Sequence, residues 1–272
     1  MTGRLPCHLL PSVALMACML IAGTAQTAET ACPLEPIGSG SVVSVVDGRS
    51  FLLDDGREVR LAGLQIPAPA RDGDKDDSVG RAAKAALESL LAGQVVTLKA
   101  PKPASDRYGR IVAYAFVGGA ESPVQHRLLL QGQALVAARP DHRACRAELL
   151  AREKAAREAK LGVWANPVYG LRRAESGAAL LAARGHFAVI EGKVVSVRES
   201  GATIYVNFGR RWSQSLTLTI RKRDERQFAA NGLEPKKLEG RVVRVRGFIE
   251  ERNGPRIEAL HPEQIELAEQ NQ

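Results

Sequence analysis

Two Asp-Gly dipeptides constrain this chain more than any other feature. In GSVVSVVDGRSFLLDDGREVRLAGL, residues 40–64, Asp47-Gly48 and Asp55-Gly56 interrupt three short apolar runs. An Asp-Gly pair between alternating apolar runs is a strong hairpin signal, because glycine adopts the positive φ that tight hairpin turns require. The stretch therefore reads as a three-strand meander. Its apolar face has to be closed on itself or covered by helices.

The next segments of the chain supply that cover. Residues 78–91 place Ala82, Ala83, Ala86, Leu87, Leu90 and Leu91 at helical spacing, and Gly93 ends the run. QVVTLKA and RIVAYAFV are two further strands joined by the polar turn PASDRYG. VQHRLLLQGQALV reads as a second helix and an extended piece. HRACRAELLAREKAAREAKLGVW reads as a long amphipathic helix closed by Gly162, its apolar stripe running through Ala147, Leu150, Leu161 and either Ala151 or Ala155. Residues 166–185 change character and read as a linker with one helical turn. Strand patterning then resumes in FAVIEGKVVSVRES, ATIYVNFG and QSLTLTIR. A short helical stretch, KRDERQFAANG, precedes a final hairpin turned at Asn253-Gly254. The two halves have different patterns, so no internal repeat is present.

The N-terminus reads as an export signal. Arg4 precedes an apolar run from Val13 to Ala25, too short to span a bilayer comfortably, and Gly23-Thr24-Ala25 offers small residues at a cleavage site. Residues 1–25 are the expected signal peptide, which leaves no integral membrane segment and a periplasmic or secreted location. A lipoprotein reading through Cys18 and an uncleaved anchor stay open. Cleavage would remove Cys7 and Cys18 and leave Cys32 and Cys145, which in an oxidising compartment suggest one disulfide; the alternative is two unpaired thiols. The net charge of +8 favours acidic partners, but residues 32–170 contribute only 19 − 16 = +3 and residues 186–272 only 15 − 12 = +3, so a mixed solvated surface explains it equally well. Aromatic residues at 4% weigh against a protein that stacks many bases.

The order of VVDGRSFLL, VRLAGLQIP, DRYGRIVAY, LLLQGQALV and a helix ending KLGVW resembles the staphylococcal-nuclease-like (thermonuclease) family over residues 38–166. The resemblance implies a five-stranded Greek-key barrel of the oligonucleotide/oligosaccharide-binding (OB) type with three helices. It also implies calcium-dependent phosphodiester hydrolysis. Calcium wants several oxygen ligands, the attacking water a general base, and the phosphate arginines. The family pattern assigns catalytic arginine positions to Arg60 and Arg110. It assigns calcium carboxylates to the positions of Arg49 and Gln65, and the general base to Ala68. Both arginines persist while the three acids do not. Asp72 and Asp74, in the acidic run after Ala68, are the weak alternative metal ligands; otherwise no metal is expected, with calcium the cofactor if the protein is active. Arg60 and Arg110 have a structural alternative, pairing with Asp47 or Asp106. The family's nucleotide-stacking positions fall at Ala138 and Pro140. The histidines, His126 and His142 among them, show no zinc-ligand spacing.

Residues 186–268 also resemble an OB-fold barrel, so the whole chain is mainly β with α, an α+β protein of two barrels joined by residues 167–185. On the second barrel Tyr205, Phe208, Arg210, Arg211 and Trp212 are the nucleic-acid-binding candidates, rings for stacking and arginines for phosphate. Three functional readings result. The first is an exported, catalytically degenerate nuclease domain binding single-stranded nucleic acid or another polyanion. The second is an active endonuclease with a rearranged metal site, and the third an envelope module with a protein partner.

Overall fold

The computed structural model describes residues 32–68, 77–102, 105–139 and 145–268. The first half comprises β1 (Glu35–Asp47), β2 (Ser50–Leu53), β3 (Glu58–Leu61), β4 (Leu64–Gln65), α1 (Ser78–Leu91), β5 (Val95–Ala100), β6 (Ile111–Val117), α2 (Val124–Leu130), β7 (Leu135–Val136) and α3 (Arg146–Glu158). Strands β1-β2-β3-β6-β5 form a closed barrel, and β4 pairs with β7 in a separate ribbon. Closure depends on β1. Its first part pairs with β5 through Ser41↔Val95, its last part with β2 through Asp47↔Ser50, and register shifts bend it between. Such bulges are how a strand turns a barrel corner.

The meander is present with its turns at the two Asp-Gly pairs, though of the two glycines only Gly56 takes the positive φ, and α1 begins where Asp77 Oδ1 accepts from Gly80 N at 2.9 Å. That bond satisfies one of the amide groups a helix start leaves unpaired. Ala83, Leu87 and Leu91 of α1 are buried. The glycines of LLLQGQ and KLGVW meet each other. Gly132 and Gly162 both have positive φ, and a Cβ on Gly132 would stand 2.2 Å from Leu161 O. Side chains are excluded there because two backbones touch, with Val163 N donating to Gly132 O at 2.8 Å.

The expected stripe of α3 is corrected. Ala147, Ala151 and Ala155 are exposed and Leu150 is only partly buried; the buried face is Leu149, Glu153 and Ala156. An acid in the middle of that face hid its period. Glu153 is buried because Arg246, far along the chain, comes to meet it.

The second half comprises β8 (Arg172–Arg173), α4 (Gly177–Leu181), β9 (Phe187–Lys193), β10 (Ser196–Ser200), β11 (Thr203–Asn207), β12 (Thr217–Arg221), α5 (Glu225–Ala229), β13 (Val242–Phe248), β14 (Glu250–Glu251), β15 (Pro255–Ala259) and β16 (Ile265–Leu267). It forms a five-stranded sheet, β10-β11-β12-β15-β14, and a four-stranded sheet, β16-β13-β9-β8, around one core. The chain passes directly between the sheets at two corners, from β9 to β10 and, at buried Ile249, from β13 to β14, and by longer connections from β12 to β13 and from β15 to β16. The strand order is OB-like, with the hydrogen-bonded ring interrupted at those corners. Residues 167–185 do more than connect. β8 pairs with β9, and Ala174, Leu180 and Ala183 join the second core.

The halves are fastened together. Leu135, Ala156, Val163 and Trp164 share a cluster with Phe187 and Val189. Beside it Arg246 donates to Val136 O at 2.8 Å and to Glu153 at 2.8 and 3.2 Å, and pairs with Glu266. Cys32 and Cys145 form a disulfide, tying the chain before β1 to the start of α3. No described helix is long and apolar enough to cross a membrane.

Candidate nucleic-acid interface

The β1–β2 turn places Arg49 at one end of the first barrel. Asp47 Oδ1 accepts from Arg49 N at 2.8 Å, which fixes the turn. The Arg49 guanidinium then reaches the β4–β7 ribbon, where Nη1 donates to Leu64 O at 3.1 Å and to Gln65 Oε1 at 3.3 Å. Gln65 is held in turn by Nε2 donating to Ile66 O at 2.8 Å. The two positions that the family pattern gives to calcium carboxylates therefore face each other, but as donor and acceptor. A guanidinium occupies the oxygens there that a hard cation would need. Among the described residues no group of acids, histidines or cysteines has metal-binding geometry, and the residues at these two positions do not fit calcium. Asp72 and Asp74 lie outside the described residues, as do Pro140, His142 and residues 1–25, the expected signal peptide.

Arg60 stands on β3 opposite Ser50 and beside Val112, half-buried. Ser50 Oγ is fully buried with no partner among the described residues. Arg110 comes directly after the DRYG turn and is caged by acids. Its Nε and Nη2 meet Asp106 Oδ2 at 2.8 and 2.7 Å, and Nη1 lies 3.6 Å from Glu58. The hydrogen bond to Asp106 raises the Arg110 pKa against the opposing effect of burial, with Glu58 and Asp47 adding attraction. Burial alone would raise the Asp106 carboxyl; hydrogen bonds from Arg110 and from the Tyr108 and Arg110 amides hold it below its usual range instead. Ala68 is exposed and lines a pocket of about 300 Å³ with Tyr169, Arg172 and Phe187. Ala138 packs against the cluster between the halves.

The second face divides its candidates. Phe208 is 1% exposed and belongs to the core, which corrects its reading as a stacking ring. It shares strand parity with Ile204 and Val206, both buried, whereas Thr203, Tyr205 and Asn207 point the other way. The period of two was the signal that separates them. Tyr205 and Asn207 line a groove of about 540 Å³ across β10, β11, β12 and β15, and Trp212, 59% exposed, stands at its edge. Arg210 and Arg211 are exposed on the loop before Trp212 but do not line the groove. The arginines that do line it, Arg198, Arg252 and Arg256, come from other elements and were missed, because no local motif joins β10, the β14–β15 turn and β15.

A closed five-stranded barrel backed by three helices, with arginines on β3 and after a DRYG turn, defines an OB barrel of the nuclease kind. The comparisons with known proteins agree. The family model "Staphylococcal nuclease homologue" matches residues 58–166. The chain is 29% identical over 126 residues to the thermonuclease of Staphylococcus intermedius, covering 45% of this chain and 74% of that protein. It is 27% identical over 129 residues to the thermonuclease of Staphylococcus hyicus, covering 46% and 75%. The chain thus carries a staphylococcal-nuclease-like domain.

Proposed function

We propose that this is an exported protein whose nuclease-type barrel binds nucleic acid, or another polyanion, without hydrolysing it. The hydrogen bond from Arg49 Nη1 to Gln65 Oε1 carries this reading. It fixes a permanent positive charge on the ligands a calcium ion would take. Ala68 at the general-base position adds to it, since losing a general base typically costs about 10²–10⁴ in rate. Arginine suits phosphate, so binding outlasts chemistry. The Cys32–Cys145 disulfide supports export, because such bonds persist in oxidising compartments.

The test incubates the purified protein with single-stranded DNA and RNA, with calcium or with chelator, beside an Arg49→Asp/Gln65→Asp/Ala68→Glu variant. Expected are no cleavage by the native chain under either condition, and binding that weakens as salt rises. The variant should bind calcium by calorimetry where the native protein does not. Calcium-dependent cleavage by the native protein would overturn the proposal and turn attention to Asp72 and Asp74. Neither cleavage nor binding would replace it with the protein-partner reading.

A further inference from the structure

The groove of the five-stranded sheet lies outside the nuclease-like residues 58–166, and its charges are unevenly spent. Glu199, its one acid, is held by Lys222 at 2.7 Å and Lys236 at 3.2 Å. Arg256 is paired with Glu250. Arg198 and Arg252, on opposite walls, form no side-chain hydrogen bond or ion pair among the described residues, and neither do Arg210 and Arg211 beside Trp212. Elsewhere arginines of this protein are mostly committed: Arg57, Arg110, Arg157, Arg184, Arg221, Arg244 and Arg246 all meet acids. Two uncommitted guanidiniums on the groove walls, Arg198 and Arg252, with two more on the neighbouring loop, make a local field for an anion.

The same groove carries a large exposed ring on a fixed mount. Trp212 opens a short 3-10 helix, and Ser215 Oγ donates to Arg211 O at 3.0 Å beneath it. The tip of the β14–β15 hairpin lies hard against the Trp212 backbone, so that a Cβ on Gly254 would stand 2.1 Å from Trp212 O. The ring is thus exposed while its backbone is pinned. Tyr205 supplies a second ring on the floor, with Asn207 and Thr217 beside it, and Thr217 Oγ1 and Asn207 Oδ1 are 3.3 Å apart.

We infer that this groove is a binding site for a single-stranded nucleic-acid segment, with bases stacked on Trp212 and Tyr205 and phosphates held by Arg198 and Arg252. A simple polyanion would use the arginines and leave the rings idle. A duplex hides its base faces, and an uncharged sugar would not need the unpaired cations. A splayed strand uses both, since every base has a face to stack and every step a phosphate. The inference rests on the proposal that the protein binds nucleic acid, but places that binding on a separate surface.

The test measures binding of labelled oligo-dT, oligo-rU, a short DNA duplex and inorganic polyphosphate to the full protein by fluorescence anisotropy over a salt series. The variants are Trp212→Ala, Trp212→Phe, Arg198→Ala/Arg252→Ala and Arg49→Ala/Arg60→Ala. Melting curves confirm that each is folded. Trp212→Ala should weaken the single strands about tenfold to a hundredfold, spare polyphosphate, and be rescued in large part by phenylalanine. Arg198→Ala/Arg252→Ala should weaken both and flatten the salt slope for single strands by about 1.4, two phosphates' worth. The preferred sugar, deoxyribose or ribose, is read from the first two probes. Single-strand binding unaffected by Trp212→Ala, or an equal loss toward polyphosphate, would overturn the inference. Loss confined to Arg49→Ala/Arg60→Ala would overturn it while leaving the first-barrel reading intact. Loss confined to the groove variants would do the reverse.

Discussion

Removing Glu153 should harm this protein more than removing Arg246, although the two are partners in one buried ion pair. The surrounding charges set the order. Three arginines, Arg146, Arg157 and Arg246, all feel Glu153 and Glu266, and Glu263 adds its attraction at Arg146. Burial lowers the Arg146 pKa to about 10, with Arg246 adding repulsion. Burial likewise lowers Arg157, against the attraction of Glu153. Both arginines therefore depend on the carboxylates they face. Replacing Glu153 with leucine leaves Arg157 and Arg246 to Glu266, and Arg146 to Glu263 and Glu266. It also strips Val136 N of its acceptor, now at 2.7 Å. Breaking a buried pair in this way costs about 3–5 kcal/mol. Replacing Arg246 with methionine instead leaves Arg146 and Arg157 with their carboxylates in place and removes the repulsion both feel from Arg246. Glu153 keeps Val136 N and the Arg157 charge, whose Nη1 lies 3.5 Å away as an ion pair without hydrogen-bond geometry. The main loss is the donor to Val136 O, about 1–3 kcal/mol for a buried group left unpaired. The double replacement should be more stable than Glu153→Leu alone, because the uncompensated charge leaves with its partner. For a protein of this size 1 kcal/mol moves the melting point by about 2–4 °C, so Glu153→Leu should melt roughly 6–20 °C low. Calorimetry on both single variants and the double closes the cycle. A larger loss for Arg246→Met, or a double variant below Glu153→Leu, would refute the charge count.

Acid and reductant should each find a further weak point. The carboxyls of Asp106 and Glu266 are both held below their usual range in the folded state, Glu266 by Arg246, Arg157 and Arg146 against the raising effect of burial. Their stabilisation is complete above the unfolded carboxyl pKa, about 4, and is lost as pH falls through the lower folded values. Melting points should be level from about pH 7 to 5 and fall below about 4, and Asp106→Asn should remove part of that acid slope; an unchanged slope would exclude Asp106 as a contributor. The Cys32–Cys145 disulfide spans 113 residues, a loop for which chain entropy assigns roughly 4–5 kcal/mol. Reductant, or Cys32→Ser/Cys145→Ser, should lower the denaturant midpoint and steepen the slope, because the uncrosslinked chain unfolds to a less compact state, and a midpoint insensitive to reduction would show that the bond constrains the unfolded chain little.

The legible parts of this fold are those whose cause is local. Asp47-Gly48, Asp55-Gly56 and Asn253-Gly254 sit in hairpin turns because the turn conformation is decided within a few residues. The α1 span 78–91 is readable because its buried face is wholly apolar. The motif glycines Gly132 and Gly162 are visible as motif, though their contact with each other is not. Illegible are the features decided by distant partners. The buried face of α3 contains Glu153, which makes sense only once Arg246 arrives from β13. Residues 167–185 read as an irregular linker, yet Ala174 and Leu180 are fully buried by the second core. At the candidate sites the substitutions Arg49, Gln65 and Ala68 stand out against the family pattern, but nothing local foretells that Arg49 binds Gln65, or that Arg198 and Arg252 share a groove with Trp212.

The end of the first barrel is organised by the chain's own hydrogen bonds, and these lead into the second half. In a calcium site the ion gathers its ligands and offsets their mutual repulsion. Here Arg49, at one of the positions the family pattern gives to calcium ligands, donates to Gln65 Oε1 at the other and to Leu64 O beside it. Leu64 and Gln65 form β4, which pairs with Val136 and Leu135 of β7. Val136 is held from its other side by Glu153 Oε1 at its amide and Arg246 Nη1 at its carbonyl. The cation of the first barrel therefore leans on a two-stranded ribbon that an arginine of the second half helps to fix. That continuity gives residues outside the nuclease-like segment a structural part in shaping its site. It also explains why cutting this chain at residue 166 would remove a buried counter-charge of Glu153 along with the second half.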